Sequence, residues 1–247
     1  MATAVRKANL NDVVELREQY RLEANCQIVR YTNLSRGFAY PVVVEDSGRV
    51  AAYSVIRTTD DLDTLIEFYA HPPMANYLEL ARQILKFSGA QLIEAQTNIP
   101  GMVAVLKEFG SGVEVGPTLF AKGENSKLEV LGATFRPRRP SDVLFPHTTE
   151  PEGEWVIECR GTVVATGGYF SHYNPPYVDL YMEVEPGSRR KGFGSFLLQE
   201  LQKDCAVKQR IPAARCNANN VASAACLQRA GMVIFGHINT AHVRADL

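Results

Sequence analysis

Apolar residues recur along this chain with the two periods that distinguish strands from helices. Runs rich in β-branched and aromatic residues alternate with stretches in which apolar residues return every three or four positions, which predicts a mixed α/β protein. The predicted strands are Thr3–Ala8, the hairpin Tyr40–Arg57, Leu62–Ala70, Gln91–Gln96, Leu128–Phe135, the hairpin Trp155–Phe170, Tyr177–Val184, Ala213–Cys216, Val233–Ile238 and Ala241–Arg244. The predicted helices are a segment ending near Ala24, Asn76–Ser88, Pro100–Phe109, a segment entered near Arg190, and Val221–Ala230.

The order of predicted elements in the first half of the chain returns in the second half. A shift of 113 residues places the turn at Gly48 on the turn at Gly161, and a shift of 121 residues places Gly110 on Gly231. The difference corresponds to an insertion of about eight residues in the second half, where one turn is longer. We therefore predict two similar domains, residues 1–125 and 126–247, divided near Gly123–Lys127.

One turn in the second half has the composition of a phosphate-binding site. The predicted strand Tyr177–Val184 leads through the Gly- and Pro-containing turn Glu185–Gly194 into a helix. The free N–H groups and the positive end of the dipole at a helix start favour an anion there, and Gly192 and Gly194 allow its close approach. Arg189, Arg190 and Lys191 add three positive charges.

The details of this turn exclude two common phosphate loops and match a third. A Walker loop requires Lys-Ser/Thr after Gly192, where the chain has Phe193-Gly194, and a dinucleotide-binding fingerprint requires a glycine at Leu197. The pattern Arg189-x-x-Gly192-x-Gly194, between strand and helix, resembles the acetyl-CoA signature of the GNAT superfamily of N-acetyltransferases. The resemblance implies two tandem GNAT-like domains, each a mixed, mostly antiparallel sheet flanked by helices.

The resemblance also implies a cofactor arrangement, with acetyl-CoA as co-substrate and no metal. The thioester and the pantetheine arm would lie along the strand end at Val184, and the pyrophosphate would lie on the N–H groups of residues 190–195. Asn220 has two interpretations, because it matches the family asparagine that binds pantetheine amides and is also a favourable helix N-cap. The expected cofactor-binding residues are Met182, Val184, Arg189, Arg190, Lys191, Gly192, Phe193, Gly194, Ser195 and Asn220.

The chain departs from the family pattern in two places. Leu227 stands where the family has a tyrosine that often protonates the leaving thiolate, so the general acid stays open. The first-half counterpart of the phosphate turn, His71–Asn76, has no glycine and no basic cluster, and its two prolines lack N–H groups. We therefore expect a degenerate first domain without a cofactor site. We expect this domain to wall the acceptor site, because the second half has only the Pro-rich loop Arg136–Gly153 before its hairpin.

Transfer to an amine requires a group that removes a proton from the acceptor ammonium. Glu183, beside Val184 on the central strand, is the expected catalytic base, and Glu185 and Tyr181 are its nearest alternatives. The competing interpretation makes Glu183 a surface carboxylate paired with an arginine of the turn. Weaker candidates for the base are Asp179, Tyr169, His172 and Tyr173.

The amino-acid composition argues against nucleic acid and membranes as partners. Hydrophobic residues make up 46% of the chain and charged residues 21%, and the net charge of −1 argues against nucleic-acid binding through basic segments such as Arg136–Arg139. Neither a signal sequence nor a membrane span of about 20 apolar residues is apparent, and no Cys-x-x-Cys pair occurs. We expect a cytoplasmic acetyltransferase acting on a small-molecule amine or a peptide, without nucleic-acid or membrane partners. The acceptor, the acyl group and the oligomeric state are left open, and a non-catalytic CoA-binding module is the alternative function.

Overall fold

The computed structural model describes residues 4–23, 31–58, 62–71 and 76–247. The strands are β1 (Ala4–Lys7), β2 (Ala39–Asp46), β3 (Arg49–Arg57), β4 (Thr64–Ala70), β5 (Leu92–Gln96), β6 (Gly110–Lys122), β7 (Ala133–Pro137), β8 (Trp155–Cys159), β9 (Thr162–Phe170), β10 (Tyr177–Val184), β11 (Ile211–Cys216) and β12 (Met232–Val243). The helices are α1 (Leu10–Glu23), α2 (Tyr31–Ser35), α3 (Tyr77–Ser88), α4 (Pro100–Phe109), α5 (Phe193–Val207) and α6 (Val221–Arg229). The sequence analysis predicted that the turn His71–Asn76 has no cofactor site. Most of this turn lies outside the described residues.

The chain forms two compact units whose borders do not coincide with the predicted domains 1–125 and 126–247. The first unit combines Met1–Pro117 with Gly236–Leu247, and the second is Thr118–Phe235. The end of the chain belongs to the first unit because Ile238–His242 of β12 pair antiparallel with Leu92–Gln96 of β5. Sequence periodicity reveals that a strand exists there, but not which sheet it joins.

In each unit a mixed, mostly antiparallel sheet is flanked by helices, which confirms the predicted fold class. The strand order is β1-β2-β3-β4-β5-β12 in the first unit, which contains residues 236–243 of β12, and β6-β11-β10-β9-β8-β7 in the second, which contains residues 118–122 of β6. Strands β4 and β5 pair in parallel, as do β10 and β11, whereas the pairs β1–β2, β2–β3, β3–β4, β5–β12, β6–β11, β7–β8, β8–β9 and β9–β10 are antiparallel. Among the described helices, none is long and apolar enough to cross a membrane.

The first unit has a polar network inside its apolar core. Arg17 of α1 donates two hydrogen bonds to Glu67 of β4, at 3.0 and 2.9 Å, and Tyr53 donates a third at 3.3 Å. Arg17 is 8% exposed and Glu67 is 2% exposed, so both charges are removed from water. Losing either partner would leave an unpaired buried charge, so the pair fixes α1 on the sheet.

The second unit packs α5 and α6 beside the strands that carry the phosphate turn. Leu197, Leu201 and Cys205 follow one another at helical spacing on the buried face of α5. Leu227 of α6 is 3% exposed and belongs to the same core. Near the β7 edge, the Trp155 ring stacks on Phe135 with centroids 4.6 Å apart.

Candidate functional site

The predicted strand–turn–helix segment is present in the second unit. Strand β10 ends at Val184, a 3₁₀ turn covers Pro186–Ser188, and α5 starts at Phe193. Gly192, at the N-cap, has φ +90°, a left-handed conformation that a residue with a Cβ adopts only with strain. Arg190 also has a positive φ, 62°, so the chain reverses sharply between the strand end and the helix start. The first N–H groups of α5 have no partners within the helix and face this turn.

A cavity of about 630 Å³ opens at this turn. Every predicted cofactor-binding residue except Lys191 lines it. The lining residues are Thr149, Glu150, Met182, Glu183, Val184, Ser188, Arg189, Arg190, Gly192, Phe193, Gly194, Ser195, Asn220, Ala222, Ser223, Ala225, Cys226 and Arg229. The cavity therefore joins a strand end, a helix N-terminus and the first turn of a second helix.

Two of the basic side chains fold back on the turn that carries them. Lys191 Nζ donates to the Gly187 carbonyl at 2.8 Å, and Arg189 Nε donates to the Val184 carbonyl at 3.2 Å. These contacts brace the turn. The geometry thus assigns the main anion-binding capacity to backbone N–H groups, with the arginines adding positive potential at the cavity wall.

Gly194 sets the width of the cavity at the helix start. A Cβ at this position would lie 3.2 Å from Cys226 Sγ, 3.2 Å from Val184 Cγ2 and 3.3 Å from Met182 Cε. Those distances are tighter than ordinary van der Waals contact. A glycine here lets β10, α5 and α6 approach closely while the cavity beside them stays open.

Asn220 has the geometry of a helix cap. Its Oδ1 accepts a hydrogen bond from the Ser223 N–H at 3.0 Å, which satisfies one free donor at the start of α6. The residue also lines the cavity. Capping and amide binding are compatible, because capping uses the side-chain oxygen and leaves the amide NH₂ group as a donor.

Glu183, the predicted base, is held by hydrogen bonds. Its carboxylate accepts from the N–H groups of Thr148, Thr149 and Glu150 at 3.1, 3.1 and 2.9 Å, and from the Thr148 hydroxyl at 2.9 Å. Burial would raise the pKa of Glu183, but these hydrogen bonds outweigh it and lower the pKa to about 2. So weak a base is poorly matched to removing a proton near neutral pH. The geometry instead favours Glu183 as the anchor of the loop between β7 and β8.

Glu150 lies on that loop and is the carboxylate that the sequence interpretation missed. The residue is half-buried and lines the cavity. Burial, followed by the nearby carboxylates of Asp179 and Glu183, raises the pKa of Glu150, and Arg215 partly opposes the shift. No sequence signal marks Glu150, because it lies in an irregular segment whose position depends on hydrogen bonds to a residue 33 positions away.

The other candidate bases lie outside the residues that line the cavity. His172 Nε2 lies 2.9 Å from Asp179 Oδ2, and Glu185 accepts from the Gly187 N–H at 3.0 Å. Tyr169 contacts Lys208 Nζ at 2.9 Å, and Tyr173 is 1% exposed. These contacts and this burial lie away from the cavity lining, so none of the four residues is placed to take a proton there.

The cysteines and histidines of the described residues do not gather into a metal site. Within those residues, no group of three or more potential ligands has the geometry to hold a metal ion. Cys159, Cys205, Cys216 and Cys226 are free thiols, and Cys26 lies outside the described residues. Burial is the main factor that raises the pKa of Cys205, to about 12, so that thiol stays protonated near neutral pH.

Comparison with known proteins gives a family for the second half and a fold for the whole chain. Residues 126–232 match the acetyltransferase (GNAT) family model. An acetyltransferase of the GNAT family from Colwellia psychrerythraea has a TM-score of 0.72 and 17% identity, covering 98% of this chain and 100% of its own. A GCN5-related N-acetyltransferase from Sphaerobacter thermophilus has a TM-score of 0.63 and 14% identity, covering 98% and 96%.

A third similar structure is a tandem GNAT protein from the clavulanic acid biosynthesis pathway. Its TM-score is 0.60 at 12% identity, and the match covers 98% of both chains. No curated protein matches the sequence significantly. Residues 126–232 match the GNAT acetyltransferase family that the motif predicted, and the similarity to solved structures extends the same fold over the whole chain.

Proposed function

We propose that the protein is an acetyl-CoA-dependent N-acetyltransferase that transfers the acetyl group to a primary amine by direct attack. The observation that carries this proposal is the cavity at the end of β10, where a glycine turn and the start of α5 face a common space. Among the described residues that line the cavity there is no histidine to activate a serine or Cys226 as a nucleophile. Direct attack is therefore favoured over an acyl-enzyme intermediate.

The residues divide the binding of acetyl-CoA between them. The N–H groups at the start of α5 bind the pyrophosphate, with positive potential from Arg189 and Arg190. The backbone at Val184 pairs with the pantetheine arm, and the amide of Asn220 is placed to donate to it. The acceptor is a small-molecule amine or a peptide, and neither nucleic acid nor a membrane surface is among the proposed partners.

Departure of the thiolate does not require a side-chain acid. Leu227, in the place of the family tyrosine, is buried in the core and cannot donate a proton. A thiol pKa of about 8.5 makes the thiolate a tolerable leaving group that water can protonate. The same leucine favours the second candidate, a CoA-binding module without catalysis. Thiol release in the presence of amines separates the two functions.

Calorimetric titration with acetyl-CoA, CoA and dephospho-CoA tests the cofactor site. We expect one site per chain, weakened by loss of the 3′-phosphate. Gly192→Glu should abolish binding, because it puts a carboxylate at the anion site. Gly161→Glu is the matched control, since Gly161 has a similar φ of +79° at a hairpin turn, with open space around its Cβ position. Equal binding by wild type and Gly192→Glu would contradict the site assignment.

A further inference from the structure

The loop that carries Glu150 is held in place at the cavity. Three successive N–H groups, those of Thr148, Thr149 and Glu150, converge on the carboxylate of Glu183. Because the Glu150 N–H is one of them, at 2.9 Å, the backbone of Glu150 is fixed relative to β10. Its half-buried side chain lines the same cavity as Met182 and Val184, at the strand end where the thioester is expected.

The groups around Glu150 are mostly acidic and aromatic. Asp179 and Glu183 on β10 act on it as negative charges, and Arg215 on β11 acts as a positive charge. Tyr181 lies close enough that, after burial, the carboxylates of Glu154 and Glu150 raise its pKa. Its ring stacks on Phe170 with centroids 4.4 Å apart. Arg215 is itself 3.6 Å from Asp179, so its charge is shared with that carboxylate.

We propose that Glu150 binds the ammonium group of the acceptor and accepts its proton. This inference rests on the proposed acetyltransferase function and assigns the base that Glu183 is unsuited to be. The Glu183 carboxylate accepts hydrogen bonds from four donors, whereas Glu150 lines the cavity on a backbone that is hydrogen-bonded to Glu183. Glu183 is then a positioning residue that acts through Glu150.

The step balances in protons and electrons. The Glu150 carboxylate takes one proton from the ammonium, which leaves a neutral amine with a free electron pair. That pair forms the C–N bond at the thioester carbonyl, and the C–S bond breaks with its electron pair going to sulfur. The new amide nitrogen gives up a further proton to water, the thiolate leaves, and Glu150 returns its own proton to solvent.

The same surroundings select a class of acceptor. With three carboxylates and one shared guanidinium nearby, the local field attracts a cationic amine and repels a carboxylate next to the nitrogen. We therefore expect amines without a neighbouring carboxylate, such as polyamines and amino-acid amides, to be preferred over free amino acids.

Thiol release from acetyl-CoA tests the assignment with spermidine, an amino-acid amide and the corresponding free amino acid as probes. Glu150→Gln should lower kcat/KM for the best amine by about 100-fold or more, the ordinary contribution of a positioned base. Its rate should then rise about tenfold per pH unit toward the amine's own pKa, about 10 for spermidine and about 8 for the amino-acid amide, because only the free amine reacts. The wild type should instead reach a plateau once Glu150 has ionised.

Glu152→Gln is the matched control, since Glu152 lies on the same loop, is 59% exposed and pairs with Arg138. Its activity and acetyl-CoA affinity should equal those of the wild type, and Glu150→Gln should also retain acetyl-CoA affinity within about twofold. Equal pH profiles for Glu150→Gln and Glu152→Gln would overturn the assignment of Glu150 as the base, but not the proposed acetyltransferase function. A preference for the free amino acid would overturn the acceptor class. Wild-type protein that binds acetyl-CoA yet acetylates none of the probes would overturn both the enzymatic function and this inference.

Discussion

The two units use equivalent helices in opposite ways. The buried faces of α3 and α5 match at a shift of 117 residues, from Leu80 to Leu197, and the same shift carries Tyr77 to Gly194. In the first unit, the Tyr77 hydroxyl donates to the Phe68 carbonyl at 3.4 Å and the two rings lie 4.7 Å apart. The Tyr77 side chain therefore fills the space beside its strand end, whereas Gly194 leaves a cavity open.

The comparison shows how one position near a helix start decides whether a repeated fold keeps a cleft. The first unit has adapted to its tyrosine, because Gly101 of α4 lies where a Cβ would meet the Tyr77 hydroxyl at an impossible 2.2 Å. In the second unit, Cys226 Sγ lies 3.2 Å from the ideal Cβ position of Gly194. The space at the helix start thus depends on the side-chain volume at this position.

The largest expected effect comes from giving the second unit the residue of the first. Gly194→Tyr should weaken acetyl-CoA binding at least 1,000-fold, about 4 kcal/mol, because the ring must occupy the cavity. Gly194→Ala should cost only about tenfold, since a methyl group requires its neighbours to move by a few tenths of an ångström. Calorimetry measures both. Tight binding by the tyrosine variant would show that the cofactor does not use this cavity.

A smaller loss of stability is expected when the loop anchor is removed. Glu183→Gln replaces one accepting oxygen with a donor that faces N–H groups, so the free energy of unfolding should fall by about 2–3 kcal/mol. Because the folded pKa of Glu183, about 2, is below its ordinary value of 4.5, its stabilisation is present above about pH 5 and lost as pH falls toward 2. The variant should lack this part of the acid sensitivity.

Denaturant unfolding between pH 3 and pH 7 checks this prediction. Glu129→Gln, at an exposed position, should behave as the wild type. If Glu183→Gln were as stable as this control yet catalytically dead, Glu183 would be a base after all.

The smallest effect is expected when the Tyr77 side chain, which fills the space in the first unit, is removed. Tyr77→Ala removes a half-buried ring and should destabilise the protein by about 1–2 kcal/mol, below the cost of deleting a fully buried aromatic residue. No second acetyl-CoA site should appear, because the removed ring leaves space without a glycine turn or basic residues. Thermal unfolding and calorimetric stoichiometry measure both outcomes, with Tyr31→Ala, 42% exposed, as the control. A second binding site would mean that the tyrosine alone had closed the cleft.

Local patterns predicted most elements of the fold. Pro100–Phe109 and Tyr177–Val184 have the predicted bounds, because a proline start and a β-branched run are local signals. The strand β6 was missed, since Gly and Pro interrupt its sequence. The two predicted closing strands, Val233–Ile238 and Ala241–Arg244, form the single strand β12, Met232–Val243.

The parts of the candidate site formed by residues adjacent in sequence could be predicted. The parts formed by residues distant in sequence could not. The turn at Arg189–Gly194 was visible because its glycines and the following helix are adjacent in sequence. The engagement of Glu183 by Thr148–Glu150 is a contact across more than 30 residues, which no periodicity encodes. The sequence analysis therefore assigned the base to Glu183, the carboxylate nearest the motif, and gave no signal for Glu150, which lines the same cavity.

The stacked pair of Phe135 and Trp155 supplies a built-in optical reporter. Trp155 is the sole tryptophan of the chain, and it lies in the second unit with Lys208 Nζ 5.3 Å above its ring. Its emission therefore follows the second unit alone, while circular dichroism follows all helices and strands together. Coincident melting curves from the two signals would mean that the halves unfold as one cooperative body, and separated curves would give each half its own stability.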